Sequence, residues 1–394
     1  MDSTVSNRDI IVPCEANRHK VRLARGRRFW NSARCPVCRS AVDPKRYLRV
    51  LRWITNLKGP ASTARNHRAI WWATTGYVAS ALLAAALLWY LSDHWWPATT
   101  LLFGPRWVLL LPLLLLLPAA IAWDRPLVLP LALAGLIVLG PVMGLRTGWR
   151  RVFAWGNRDR DIRVASFNVA GGRSIALAPT DLMLDWGADV AVFQECGGRL
   201  LEAIQQLRDW HTDARSSLCL ISRFEIVEVL EMDREALQFA GGSGLVVTYL
   251  LDVNGAHVFL TNIHLESPRA GLEQIRAGHL DAGASKLQEK SRLREIELRR
   301  ARRWVDRFSG PQIVTGDFNT PPESPIYRDA WSGWRNAFSL VGRGLGGTRS
   351  NRWIRARIDH ILVNDDWKVV RSWVAQDVGS DHRPIVAALR RRSP

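Results

Sequence analysis

Gly316-Asp317-Phe318-Asn319 follows the apolar run Gln312-Ile313-Val314-Thr315, and Ser380-Asp381-His382 stands just before a second such run, Pro384-Ile385-Val386-Ala387. Short apolar runs bounded by turn residues read as buried strands, so both polar strings sit at strand ends. One offers a carboxylate beside an amide, the other a carboxylate beside an imidazole. Metal-assisted attack on a phosphate ester requires groups of these kinds. The chain therefore reads as an enzyme with an additional N-terminal part.

The same pattern extends upstream. Arg163 to Val169, Asp189 to Glu195 and His257 to His264 are further strand candidates. Each ends in a carboxamide, carboxylate or imidazole, as expected when sheet edges deliver side chains to one site. Leu287 to Phe308 reads as a charged amphipathic helix, with Leu287, Leu293, Ile296, Leu298, Trp304, Val305 and Phe308 as its apolar positions. Its Arg299-Arg300-Ala301-Arg302-Arg303 run reads as a solvated face. The Gly- and Ala-rich stretch Ala270 to Ser285, and Val341 to Trp353 with four glycines, are expected to be loops at the rim of the site.

Length and charge bound the rest. The 394 residues leave room for about two or three domains. The formal charge of +18 suggests a nucleic-acid partner until it is divided along the chain. Residues 1–68 hold 16 Lys and Arg against 4 Asp and Glu, whereas residues 161–394 hold 31 against 29. The basicity lies on the N-terminal part, so it says little about the substrate.

Between them lie three apolar runs: Ala69 to Leu91, Trp107 to Trp123 and Leu127 to Leu145. The first has 23 uncharged residues, enough at 1.5 Å per residue to cross a hydrocarbon core of about 30 Å. Trp71, Trp72, Trp89, Trp95, Trp96, Trp107 and Trp123 mark the run ends, where aromatic belts form. Three transmembrane helices, with the lipid bilayer as a partner, are the expectation. An odd count puts the chain's two ends on opposite sides, but basic residues flank both outer ends, so charge does not set the orientation.

Cys35-Pro36-Val37-Cys38 is a knuckle in which two thiolates reach one ion, and Cys14 and His19 supply a further pair of candidate ligands. This segment resembles a small zinc ribbon holding Zn2+; three unremarkable thiols or a structural disulfide are the competing readings. Zinc-bound thiols must stay reduced, which favours a cytoplasmic N-terminus. By parity, the C-terminal domain is then extracytoplasmic. Whether Cys196 pairs with Cys219 is open at this level.

From about residue 161 to 390 the chain resembles the endonuclease/exonuclease/phosphatase superfamily. The motifs Ser-Phe-Asn168, Phe-Gln-Glu195, Asn262-Ile-His264, Gly-Asp317-Phe-Asn319, Arg-Ile-Asp359-His360 and Ser-Asp381-His382 occur in that family's order. The resemblance implies a four-layer α/β sandwich, two mixed β-sheets flanked by helices, here preceded by an N-terminal helical membrane anchor. For the site it implies Glu195 as the main ligand of Mg2+ or Mn2+, with Asn168 beside it and Asp381 as a further ligand. Asp317 would align or deprotonate the attacking water and Asn319 would orient it. His264 would donate to a phosphate oxygen, and Asp359 would hold His382 as an imidazolium. Asn262 and His360 are expected to be structural, and Arg223 to support the fold.

The expected organisation is a basic segment over 1–68 with the zinc ribbon at about 10–45, three membrane helices over 69–145, a linker over 146–160 and the catalytic domain over 161–390. The substrate is a phosphate ester, of a nucleic acid or of a phospholipid headgroup. A catalytically silent membrane scaffold, and a zinc-ribbon partner-binding protein, are the alternatives.

Overall fold

The computed structural model describes residues 10–13, 20–23, 64–149, 161–171, 178–350 and 355–392. Cys14, His19, Cys35 and Cys38 lie outside the described residues. The chain divides into two compact units, one of Met1–Gly76 with Leu113–Ala132 and one of Tyr77–Pro112 with Leu133–Pro394. In the first, Ile10–Pro13 pairs antiparallel with Lys20–Leu23, and His67 Nδ1 lies 2.9 Å from Asp124 Oδ2.

Among the described residues, three helices are long and apolar enough to cross a membrane: His67–Leu91 (25 residues), Arg106–Trp123 (18) and Arg125–Val142 (18). Pro118 lies inside the second. Leu82, Leu83, Leu114, Leu115, Leu129 and Leu136 on these helices are exposed, as lipid-facing residues would be.

The second unit contains two six-stranded sheets. In spatial order, one consists of Trp367–Val374, Ile385–Arg391, Ile162–Asn168, Val190–Gln194, Leu218–Ser222 and His211–Arg215. The other consists of Arg335–Asn336, Asp359–Val363, Gln312–Asp317, Ala256–His264, Leu245–Val253 and Glu225–Glu231. One neighbouring pair in each is parallel and the rest are antiparallel, so both sheets are mixed.

The period of two in a strand explains both the layers and the site. Val164, Val192, Leu260, Ile313 and Ile361 point between the sheets into one apolar core. Alternate residues point outward: Phe167 and Phe193 pack on Leu182, Trp186 and Ile204 of flanking helices. On the other side, Val246, Val314 and Leu362 pack on Leu298, Ala301 and Val305 of the helix Leu280–Val305. The result is the four-layer sandwich. Counting on by twos along the inward positions reaches Asn168, His264, Asp317 and Asp359, all at one end of the inter-sheet core.

Two expectations are revised. Ala270 to Ser285 is a helical hairpin, Arg269–Arg276 followed by Leu280–Val305. Its small residues serve close packing: a Cβ on Gly271 would come 2.7 Å from Leu287 N, and one on Gly283 would come 2.5 Å from Ile275 Cγ1. The helix begins seven residues before Leu287, and Ile296 is exposed on it.

Candidate active site

The strand Gln312–Asp317 ends beside Ala256–His264 in parallel and Asp359–Val363 in antiparallel register, so Asp317 is level with both His264 and Asp359. Gly316 makes this approach possible. Its φ is 139°, and a Cβ there would clash with the Ile263 carbonyl oxygen. In the facing sheet, Asn168 is level with Gln194, and His382 lies just before the strand that pairs with Ile162–Asn168.

Asn168 joins the two sheets. Its Nδ2 donates to Glu195 Oε1 and to Asp317 Oδ2, both at 3.0 Å, while its Oδ1 accepts from Ala170 N at 3.0 Å. Asp317 Oδ1 accepts from Asn319 N at 2.8 Å, and Asn319 Nδ2 donates to Leu265 O at 2.7 Å. Glu195 and Asn319 are non-glycine residues with φ of 52° and 48°. Such conformations are uncommon and collect at functional sites, where surrounding contacts sustain them.

His264 Nε2 lies 3.7 Å from Glu195 Oε1 and 3.8 Å from Asp317 Oδ2. His382 Nε2 lies 3.7 Å from Asp317 Oδ2, and its Nδ1 lies 2.9 Å from Asp359 Oδ2. Burial alone would disfavour a charged His382, but the carboxylates of Asp359 and Asp317 outweigh it and raise its pKa to about 9. Arg349 Nη1 stands 2.9 Å from His382 Nε2. That contact would be a hydrogen bond only with a neutral ring. The two buried carboxylates favour the imidazolium, whereas the Arg349 guanidinium opposes it.

Asp317 is fully buried, and burial, followed by the Asp359 carboxylate, pushes its pKa above the ordinary value against the pull of His382 and His264. It is a carboxylate short of positive charge. Glu195, with 45% of its side chain exposed, stands on the open side of the same cluster. Glu195 and Asp317 offer carboxylate oxygens of the kind that hard divalent cations of the Mg2+ class select, while Asn168 turns its Nδ2 toward both and its Oδ1 toward Ala170 N. Asp317, Asp359 and His382 also have ligand atoms within 4.8 Å of one another. Since Asp359 already holds Nδ1 of His382, that trio is better described as an ion pair beside a carboxylate.

Asp381 stands apart from these contacts, 41% exposed, and accepts from Arg349 Nη2 at 2.7 Å. Asn262 lies beneath the site, accepting from Gln194 Nε2 at 2.7 Å and donating to Phe193 O at 3.1 Å. His360 is buried against Phe318 and Tyr327 with Nε2 2.9 Å from Thr320 O, and burial, then Arg357, lowers its pKa to about 4. Arg223 reaches Asp189 and covers Trp210. Cys196, next to Glu195, is disulfide-bonded to Cys219.

Arg349 and Gln194 were not legible as site residues. Gln194 was hidden inside an apolar strand. Arg349 stood in a stretch whose glycines gave the only signal.

The sequence pattern described as "Endonuclease/Exonuclease/phosphatase family" matches residues 165–382, more than half of the chain. No curated protein matches the chain. Among solved structures, D. rerio TDP2 complexed with single strand DNA product is 15% identical, with a TM-score of 0.46, 58% of this chain and 98% of that chain covered. The 3' phosphatase NExo from Neisseria bound to product DNA hairpin is 17% identical, with a TM-score of 0.42, 57% of this chain and 98% of that chain covered. An endonuclease/exonuclease/phosphatase from Beutenbergia cavernae DSM 12333 is 20% identical, with a TM-score of 0.41, 59% of this chain and 72% of that chain covered.

Proposed function

Because the chain belongs to the endonuclease/exonuclease/phosphatase family, and is therefore a metal-dependent hydrolase of phosphate esters, we propose that it is anchored in a membrane and cleaves a phosphodiester or phosphomonoester with Mg2+. The observation that carries this reading is the Asn168 amide, which ties Glu195 to Asp317 beside the Asp359–His382 pair.

Glu195 would be the principal Mg2+ ligand; Asn168 would join it only with its amide turned to present Oδ1, and Asp381 only on leaving Arg349. When bound, the ion neutralises charge on the phosphate's non-bridging oxygens. Asp317, with its pKa held above the ordinary range, takes the proton of the attacking water. Asn319 keeps the Asp317 carboxylate oriented through its backbone N–H. His264, whose Nε2 lies near the same Asp317 oxygen as that of His382, donates to a phosphate oxygen. Asp359 fixes His382 with Nδ1–H toward itself, leaving Nε2–H to stabilise charge as the phosphorus centre crowds.

Three apolar helices support membrane anchoring, and an odd number of spans separates the N-terminus from the catalytic domain. The Cys196–Cys219 disulfide supports an oxidising, extracytoplasmic location for that domain. The substrate is a nucleic acid or a phospholipid headgroup. Turnover of plasmid DNA, single strands, phosphoinositides and sphingomyelin by the detergent-solubilised full chain with Mg2+ distinguishes them. Absence of chelator-sensitive turnover on every substrate would remove the proposal.

A further inference from the structure

Resting on the phosphoesterase reading of the site, we infer that the segment Ser92–Arg106, between the first two apolar helices, is an interaction surface for the chain's own catalytic domain. Its Asp93 and Arg106 are positioning residues for catalysis.

Two buried charge contacts join the segment to the domain. Arg294, on the helix Leu280–Val305, has no exposed surface. Its Nη2 lies 3.6 Å from Asp93 Oδ1, and its guanidinium covers the Phe103 ring at 5.4 Å. Asp93 Oδ2 also accepts from Ser324 Oγ at 2.6 Å. Arg106 Nη1 donates to Glu323 Oε2 at 3.1 Å and to Val142 O at 2.6 Å. Both members of that pair are more than nine-tenths buried. Apolar contact closes the joint, with Leu88, Leu102, Phe103 and Val142 in one cluster with Ala356 and Ile358.

These contacts reach the catalytic groups in one or a few residues. Glu323 and Ser324 end the loop that begins with Asp317 and Asn319. Ile358 precedes Asp359, and Phe318 N donates to Ile358 O at 2.9 Å. Ser324 also caps the helix Pro325–Ala330, whose Tyr327 accepts from Asn336 and packs on Phe318. Thus the general base and the carboxylate that charges His382 both rest on the anchor. A buried ion pair fixes geometry best when neither partner can leave, because an unpaired charge there is costly. The inference also places Ser92–Arg106 and the catalytic domain on one side of the membrane, as three spans require.

The test uses the full chain in detergent, hydrolysing bis(p-nitrophenyl) phosphate with Mg2+. Asp93→Ala is expected to lower kcat by about 10- to 100-fold while KM stays within about 3-fold, because the groups are misplaced rather than removed. Asp93→Asn, which keeps the Ser324 contact, should recover part of the loss. Ser324→Ala should lower kcat by a few-fold, and adding it to Asp93→Ala should cost nothing further. Asp93→Ala with wild-type kcat overturns the inference. Should Asp93→Ala fail to fold, Ser324→Ala decides, and wild-type kcat there overturns it equally. A wild-type chain that hydrolyses neither bis(p-nitrophenyl) phosphate nor the monoester p-nitrophenyl phosphate would instead remove the phosphoesterase reading.

Discussion

Asp317 and Glu323 are six residues apart, both buried, and pushed in opposite directions. Burial, and after it the facing carboxylate of Asp359, hold Asp317 above its ordinary pKa. Burial alone would raise Glu323 too, but the guanidinium groups of Arg106 and Arg357 outweigh it and hold Glu323 below its ordinary value. In the strand-end site, negative charge is gathered beyond what the local cations balance, which leaves work for a bound ion and a reacting water. In the joint with Ser92–Arg106, each acid has a partner, which leaves work only for the fold. For these two acids, the balance of buried charge marks the difference better than burial does.

The largest break in that comparison is Asp317→Asn, an isosteric change that removes the proposed base. It should cut kcat by about 10⁴-fold, or about 5 kcal/mol in barrier, with the melting temperature of the wild type retained or raised. A drop of less than tenfold would move the base elsewhere. On the other side, Glu323→Ala leaves Arg106 and Arg357 buried without their acid and should cost about 3–4 kcal/mol of stability, read by denaturant or thermal unfolding. A loss within about 0.5 kcal/mol would show that the joint is not paired as described.

His360 gives a pH signature next door to the site. Its pKa is about 4 when folded and near 6.5 in an unfolded chain. A depressed folded value means its contribution is complete above pH 6.5 and fades as pH falls toward 4, by about 3 kcal/mol in all. His360→Asn should flatten that acid limb of stability; an unchanged limb would assign it to other groups. The smallest effect expected is Asn168→Ala, which removes the amide that orients Glu195 and Asp317. It should raise the Mg2+ concentration for half-activation by about 10- to 100-fold, as loss of a ligand's supporting partner does.

The catalytic half of this chain was readable because a strand's alternation is strict. Once Val164, Ile313 and Ile361 are inward, Asn168, Asp317 and Asp359 must be inward as well, and their residue types announce the chemistry. The joint was not readable, since Asp93 and Arg294 are 201 positions apart and neither sits in a telling pattern. In a sequence, Arg294 is one more basic residue on a charged helix; only the packing shows that it has no exposed surface. The Gly and Ala stretch around Gly271 and Gly283 misled for a related reason: small residues suit a loose loop and a tight helix contact alike.

The central claim is that Glu195, Asp317 and His382 form one metal-assisted hydrolytic site. Its most direct test is Mg2+-supported hydrolysis of bis(p-nitrophenyl) phosphate by the full chain, with and without chelator, beside Asp317→Asn. Hydrolysis that disappears with chelator, returns with Mg2+ and is absent in the variant is the expected result. Turnover that survives either chelator or Asp317→Asn would contradict the account.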